Sequence, residues 1–214
     1  MMTRIFIEGL PATGKSTLLY LLERQKYRVV HELGHVLPPN AFPGDGLNLE
    51  HMLSINDWFI APESERFVDD KQTIYDRSFL THLSYAYAYS RYSGIDGFAP
   101  TMAQYALALA QERLFLPDTL IYLNISPEES INRQRIRIQN GEEPPLPSFW
   151  RDTNFLHDLK RADYALFDSM QGIKIVCLDA TLSTEEKYSL IPLEEMNSLG
   201  PRLDLDAFRG ALDD

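Results

Sequence analysis

The chain has 214 residues, with 20 Lys and Arg against 31 Asp and Glu, giving a formal charge of −11 at neutral pH. So acidic a surface argues against a binder of long nucleic acids or of anionic membranes, because both need clustered positive charge. The single cysteine, Cys177, cannot form an internal disulfide, and no apolar run has the form of a signal peptide or the length of a membrane span; the expectation is a cytoplasmic protein of one domain.

In chain order, Arg4 to Glu8 (RIFIE) reads as a strand and Lys15 to Gln25 as a helix. Tyr27 to His31 is a second strand, and Pro38 to Gly46 a Pro/Gly loop. Leu47 to Val68 is mostly helical, with an interruption expected near Pro62. Gln72 to Tyr75 is a short strand ending at Asp76, and Phe79 to Tyr92 a Tyr-rich helix. After a Gly/Pro loop, Thr101 to Phe115 is helical and Thr119 to Ile125 a buried strand. Ser126-Pro127-Glu128-Glu129 starts a helix: Ser caps, Pro sits in the first turn, and acids favour the positive end. It runs to about Gln139, before the loop Asn140 to Pro147. Phe149 to Met170 is one helix, Ile173 to Leu178 a strand that would bury Cys177, and Ser183 to Leu190 a last helix. Alternating strands and helices call for a parallel sheet covered on both faces. The domain is drawn over 1–198, with an acidic, loose tail over 199–214.

Gly9-Leu10-Pro11-Ala12-Thr13-Gly14-Lys15-Ser16 fits G-x-x-x-x-G-K-[ST] without a gap, between a strand and a helix. The glycines let the backbone wrap close to a phosphate while successive N–H groups and the helix N-terminus point at it. Lys15 reaches for β- and γ-phosphates and the Ser16 hydroxyl for Mg²⁺, so Gly9, Pro11 to Ser16 and Thr17 form the expected nucleotide cradle. Glu32 lies just past the second strand, where parallel sheets place ligands, and a carboxylate there can take a proton from an attacking hydroxyl. It reads equally as a surface acid. Asp76 stands at a strand tip, fit to order Mg²⁺, beside Arg77, fit to hold a phosphate bidentately; Asp76 or Ser78 also reads as a helix cap. Arg133 and Arg137 share a helix face before a Gly/Pro loop, a lid over about 133–149 that can clamp a phosphoryl group.

A second pattern competes. His31-Glu32-Leu33-Gly34-His35 fits H-E-x-x-H, whose zinc chemistry needs both histidines on one helix face. A strand at this place breaks that geometry, Pro38 and Pro39 end the segment, and no third ligand follows.

IEGLPATGKST, the acid after strand two, YDRS and PDTLIYLNISPEESINRQRIR stand in order and together resemble the deoxynucleoside kinase and thymidylate kinase branch of phosphate-loop kinases. The resemblance covers about Arg4 to Leu190. It implies a three-layer α/β/α fold around a five-stranded parallel sheet in the order 2-3-1-4-5. It also implies ATP as donor, Mg²⁺, an arginine-bearing lid, and a nucleoside or nucleoside monophosphate as acceptor. Glu32, Asp76, Arg77, Arg133 and Arg137 match the family's functional positions, and Arg66 in ESERF resembles its substrate-side arginine. The departures are Asp76 in place of a more usual Glu, no acid within Leu10 to Thr13, Leu33-Gly34-His35 after the acid, and Gln139 where a third lid arginine would fall. Gln104 is a candidate to read an amide edge of the acceptor, against the blander reading of an exposed helix Gln. A homodimer is compatible with all of this. Open alternatives are a kinase of another small molecule, a nucleotide-dependent ATPase or binding module, and the zinc peptidase.

Overall fold

Apolar side chains on both sides of the first strand decide the architecture. The computed structural model describes residues 3–33, 46–66, 72–142, 147–193 and 200–213. In chain order these form β1 (Thr3–Glu8), α1 (Lys15–Arg24), β2 (Arg28–Val30), α2 (Leu49–Arg66), β3 (Gln72–Asp76), α3 (Phe79–Ser93) and α4 (Phe98–Ala110). There follow β4 (Thr119–Asn124), α5 (Pro127–Gln139), a 3-10 turn (Ser148–Arg151), α6 (Thr153–Asp168), β5 (Met170–Gln171) and β6 (Lys174–Asp179). Last come α7 (Thr184–Ser189), β7 (Arg202–Leu203) and α8 (Leu205–Gly210). The expected Pro/Gly loop up to residue 45, His35, and residues 143–146 of the loop after α5 lie outside the described residues.

Five strands make one parallel sheet in the order β2-β3-β1-β4-β6. Setting aside the two-residue β5, this is the expected 2-3-1-4-5. Ile5, Phe6 and Ile7 of β1 are all fully buried, on alternating faces. Ile5 and Ile7 meet Leu18, Leu19 and Leu22 of α1. Phe6 meets Phe79 and Leu83 of α3, Tyr105 of α4 and Leu166 of α6. A strand buried on both sides reads as a continuous apolar run, which is why RIFIE shows no alternation. Three layers result, with the sheet in the middle. β1 has β3 on one side and β4 on the other, so the chain's crossovers diverge there. That opens a crevice at the strands' C-terminal ends, where such sheets take ligands.

Four local expectations change. The helix expected over 149–170 is broken, because the Asp152 carboxylate accepts the Phe155 N–H at 2.9 Å and caps α6, leaving Ser148–Arg151 as a separate turn. α2 runs through Pro62 without interruption. Cys177 is exposed, not buried, because β6 is an edge strand and Cys177 points away from the face that buries Leu178. Residues 200–213 are not a loose tail. β7 pairs antiparallel with β5, Asp204 caps α8, and Phe208 is fully buried with its ring edge-on to Phe98 at 5.6 Å. The acidic composition of the segment hid its apolar set, Leu203, Leu205, Phe208 and Leu212. Among the described residues no helix is long and apolar enough to cross a membrane.

Candidate active site

The crevice is built first by glycine geometry. Gly9 follows β1 with φ +140°, and a Cβ there would stand 2.6 Å from the Leu123 carbonyl oxygen of β4, so only glycine lets the chain pass. Gly14 (φ +87°) turns the backbone into α1 from the left-handed region, where Ala12 (φ 55°) also lies. Pro11 is held by its carbonyl, which accepts the Ser130 hydroxyl of α5 at 2.8 Å. Lys15, 7% exposed, folds back over this loop. Its Nζ donates to the carbonyls of Gly9 at 2.7 Å and Leu10 at 2.9 Å, and to Thr13 Oγ1 at 3.3 Å. Burial pushes its pKa down to about 7, helped by Arg77 and opposed by Asp76, Glu32 and Glu8. Ser16 and Thr17 open α1 with exposed side chains.

Across the crevice, Asp76 ends β3, in register with Ile7 and 2% exposed. Arg77 follows with φ 55°, a costly conformation for a non-glycine residue, fixed by its N–H to the Ile7 carbonyl at 3.1 Å. Its Nε lies 2.6 Å from Glu32 Oε2. Burial works against the guanidinium charge, but Glu32, Glu8, Asp76 and Asp163 together hold its pKa above the ordinary value. Ser78, not Asp76, caps α3, accepting the Leu80 N–H at 3.2 Å.

The sequence reading missed Glu8, the last residue of β1. It is 4% exposed and accepts the Ser78 hydroxyl at 2.6 Å and the Thr81 hydroxyl. Burial pushes its pKa up to about 7, against those two hydrogen bonds and Arg77, while Asp163 adds to the rise. The signal was there: an acid closing an apolar strand directly before the loop. Asp163 was also missed. It accepts the Tyr122 hydroxyl at 2.9 Å, and burial pushes its pKa up to about 6. Its spacing of four from Leu159 and seven from Leu156 puts it on the apolar face of α6, where an acid stands out.

Arg66 is present at this end but turned to the backbone. It pairs with buried Glu63 at 2.7 Å, and its Nη2 donates to the carbonyls of Val30, Asp76 and Arg77 at 3.0 to 3.4 Å. Glu63 in turn accepts the Phe79 N–H at 3.2 Å. The pair ties α2 to the ends of β2 and β3 and the start of α3. Gln104 bridges helices: its Oε1 accepts from Asn56 at 3.0 Å and its Nε2 donates to the Leu53 carbonyl at 3.1 Å. Arg133 pairs with Glu129 at 2.9 Å and donates to the Ala180 carbonyl at 3.3 Å. Lys187 Nζ shares that carbonyl at 3.2 Å and reaches within 3.3 Å of the place of a Gly14 Cβ. Arg133 therefore stands at the loop's corner together with a second lysine that no motif announced. Arg137, one turn further out, lies 3.8 Å from Glu142 and is 42% exposed. The lid expected over 133–149 thus begins inside α5.

The H-E-x-x-H residues diverge. His31 and Glu32 follow β2 outside any helix; His31 meets Glu23 at 3.0 Å while Glu32 meets Arg77. Among the described residues, no three His, Cys, Asp or Glu side chains gather to hold a metal. The Ser16 hydroxyl and Asp76 carboxylate are an all-oxygen pair. That donor set suits Mg²⁺, which keeps waters and substrate phosphates as its other ligands.

No family model matches the sequence, and no curated protein does. Solved structures do. The chain is similar to deoxyadenosine kinase from M. mycoides with bound dATP, at TM-score 0.65 and 17% identity, over 88% of this chain and 96% of that one. It is similar over the same shares to that kinase with bound dCTP, at TM-score 0.63 and 18% identity. With products dCMP and a flexible dCDP bound, the values are 0.61 and 17%. At this identity the likeness is one of fold: the chain shares the α/β fold of these deoxyadenosine kinase structures.

Proposed function

We propose that the protein transfers the γ-phosphoryl group of ATP to a nucleoside or nucleoside monophosphate, with Mg²⁺. One observation carries this reading: Lys15 of an intact phosphate loop, Asp76, and the Arg77–Glu32 ion pair converge on one crevice at the strands' C-terminal ends. The solved structures of the same fold bind dATP, dCTP and deoxycytidine nucleotides, which supports a nucleotide-sized acceptor and donor.

In this reading the backbone N–H groups of the loop from Gly9 to Thr17, Pro11 excepted, cradle the donor's phosphates. Lys15 exchanges its two carbonyl partners for phosphate oxygens, and the anion restores its ammonium form. Ser16 and Asp76 would hold Mg²⁺, which when bound neutralises charge on the phosphates. Arg77 orients the acceptor. As the acceptor oxygen bonds to the γ-phosphorus and the bond to the bridging oxygen breaks, a hydroxyl acceptor gives its proton to Glu32. With a monophosphate acceptor no base is needed, and Glu32 serves to aim Arg77. Arg133, then Arg137, meet the charge on the moving group as α5 closes.

The test is a panel of nucleosides, nucleoside monophosphates and unrelated alcohols, each with ATP and Mg²⁺, scored for phosphorylated product. Product from a nucleoside or monophosphate is expected. Product only from other alcohols, or ATP hydrolysis with no acceptor product, overturns the reading.

A further inference from the structure

Next to the phosphate end lies a titratable side chain that no step above uses. His82 is on the first full turn of α3, five residues after Arg77. Its ring lies against Phe59 of α2, with centroids 4.4 Å apart, and 5.9 Å from the ring of Tyr105 on α4. Arg66, Arg77 and Glu32 are all within electrostatic reach of it. Three helices thus bring one imidazole to the wall of the crevice that holds Arg77.

Its state follows from its neighbours. Burial, with Arg66 and then Arg77 beside it, pushes its pKa down to about 3 against the pull of Glu32, and the positive end of α3 acts the same way. The ring is neutral at any working pH, so it has one N–H and one bare nitrogen. His82 Nδ1 lies 2.8 Å from the Tyr105 hydroxyl. Tyr105 is fully buried, its pKa is held well above the ordinary value chiefly by burial, and its hydroxyl has no other partner among the described residues. A buried hydroxyl left with an undirected proton is costly, so Tyr105 donates to Nδ1 and the ring's hydrogen sits on Nε2. Nε2 has no hydrogen-bond partner among the described residues, and His82 as a whole is half-buried, not enclosed.

We propose that His82 is a specificity-determining contact for the acceptor: its Nε2–H donates to a ring nitrogen or carbonyl oxygen on the base of a nucleoside, which Phe59 flanks. This rests on the kinase reading. The amides that would otherwise read a base are engaged elsewhere. Asn56 spends both its hydrogens on Thr101 and Gln104, and Gln104 donates to the Leu53 carbonyl. A base that turns an N–H or C–H edge to α3 meets a donor and is rejected; one that turns a bare nitrogen or oxygen is held. Tyr105, acting through the ring, is a positioning residue.

The experiment pairs deaza nucleosides with variants. Steady-state KM and kcat are measured for 2′-deoxyadenosine, its 1-, 3- and 7-deaza analogues, 2′-deoxycytidine and its 3-deaza analogue. In the wild type, the analogue lacking the contacted nitrogen, or the nucleoside lacking the contacted oxygen, is expected to lose roughly tenfold in kcat/KM through KM. His82→Phe, which keeps the ring packing, should lose the same with the parent nucleoside and nothing further with that analogue, while the KM for ATP stays put. His82→Gln, which restores a donor, should recover part of the loss. An unchanged acceptor ranking in a folded His82→Phe overturns the proposal. A second readout needs only the wild type: ¹⁵N spectra of the His82 ring should report a neutral Nε2–H form from about pH 5 to 8. The Nδ1–H form or an imidazolium there overturns it even if both variants fail to fold. If the wild type phosphorylates neither these nucleosides nor their monophosphates, the kinase reading falls and takes this one with it; if it phosphorylates either and His82→Phe behaves alike, only this one falls.

Discussion

Lys15 in the phosphate loop is 7% exposed and bonded to the loop's own carbonyls, whereas Arg133 and Arg137 on α5 are 28% and 42% exposed and paired with acids on their own helix or the turn after it. In the proposed reaction both regions bring cations to the same phosphates. The first takes its cation out of water, so each charge near it is felt strongly: Lys15, Glu8 and Asp163 all have shifted pKa values. The second leaves its cations in solvent, where an i,i+4 pair contributes a few tenths of a kcal/mol and side chains can swing. A fixed cradle and a loosely held clamp suit the different tasks proposed for them, one binding the donor and the other meeting charge that appears only during transfer.

Four variants sharpen or break that contrast. Lys15→Ala should cost the most, on the order of a thousandfold in kcat/KM; a loss under tenfold would mean that the buried lysine is structural. Arg133→Ala should lower kcat by roughly a hundredfold while the melting temperature moves little, since its partner Glu129 is exposed. A fall in stability larger than the fall in rate would put Arg133 with the cradle, not the clamp. Glu8→Gln probes the buried side through pH. Glu8 ionises near pH 7 in the folded chain against an ordinary 4.5, so the fold disfavours its charge, and stability is lost as pH rises from about 4.5 through about 7. The variant should therefore melt higher than the wild type at about pH 8, with the difference shrinking as pH falls and gone by about pH 4. Equal melting temperatures at both pH values would remove Glu8 from the buried network. Arg137→Ala should have the smallest effect, roughly tenfold or less in kcat and under 0.5 kcal/mol in stability, its pair with Glu142 being exposed and 3.8 Å long.

What the sequence discloses follows how local each feature is. The phosphate loop is contiguous, and its glycines are demanded by backbone angles, so it reads from the eight residues Gly9 to Ser16. The sheet reads because strands buried on both faces are plain apolar runs. Arg66 reads poorly: its carbonyl partners Val30, Asp76 and Arg77 lie 36, 10 and 11 residues away, and nothing in ESERF says that the guanidinium turns to the backbone. Gln104 is similar, its bonds depending on how α2 packs against α4. His82 needs three helices at once. Cys177 misleads because IKIVCL has the look of a central strand while β6 is at the edge.

The docking of α8 bears on how the protein comes into being. Phe208 lies in the same core cluster as Phe6, far from it in sequence. Phe208 follows Phe6 by some two hundred residues, but one wall of its site, α6, is complete only at Asp168, so the apolar site between α4 and α6 stays unfilled while the chain grows from Asp168 to Phe208. A chain cut before Leu203 would leave that apolar site open to solvent, and exposed apolar surface of this kind is what drives association between incompletely folded chains.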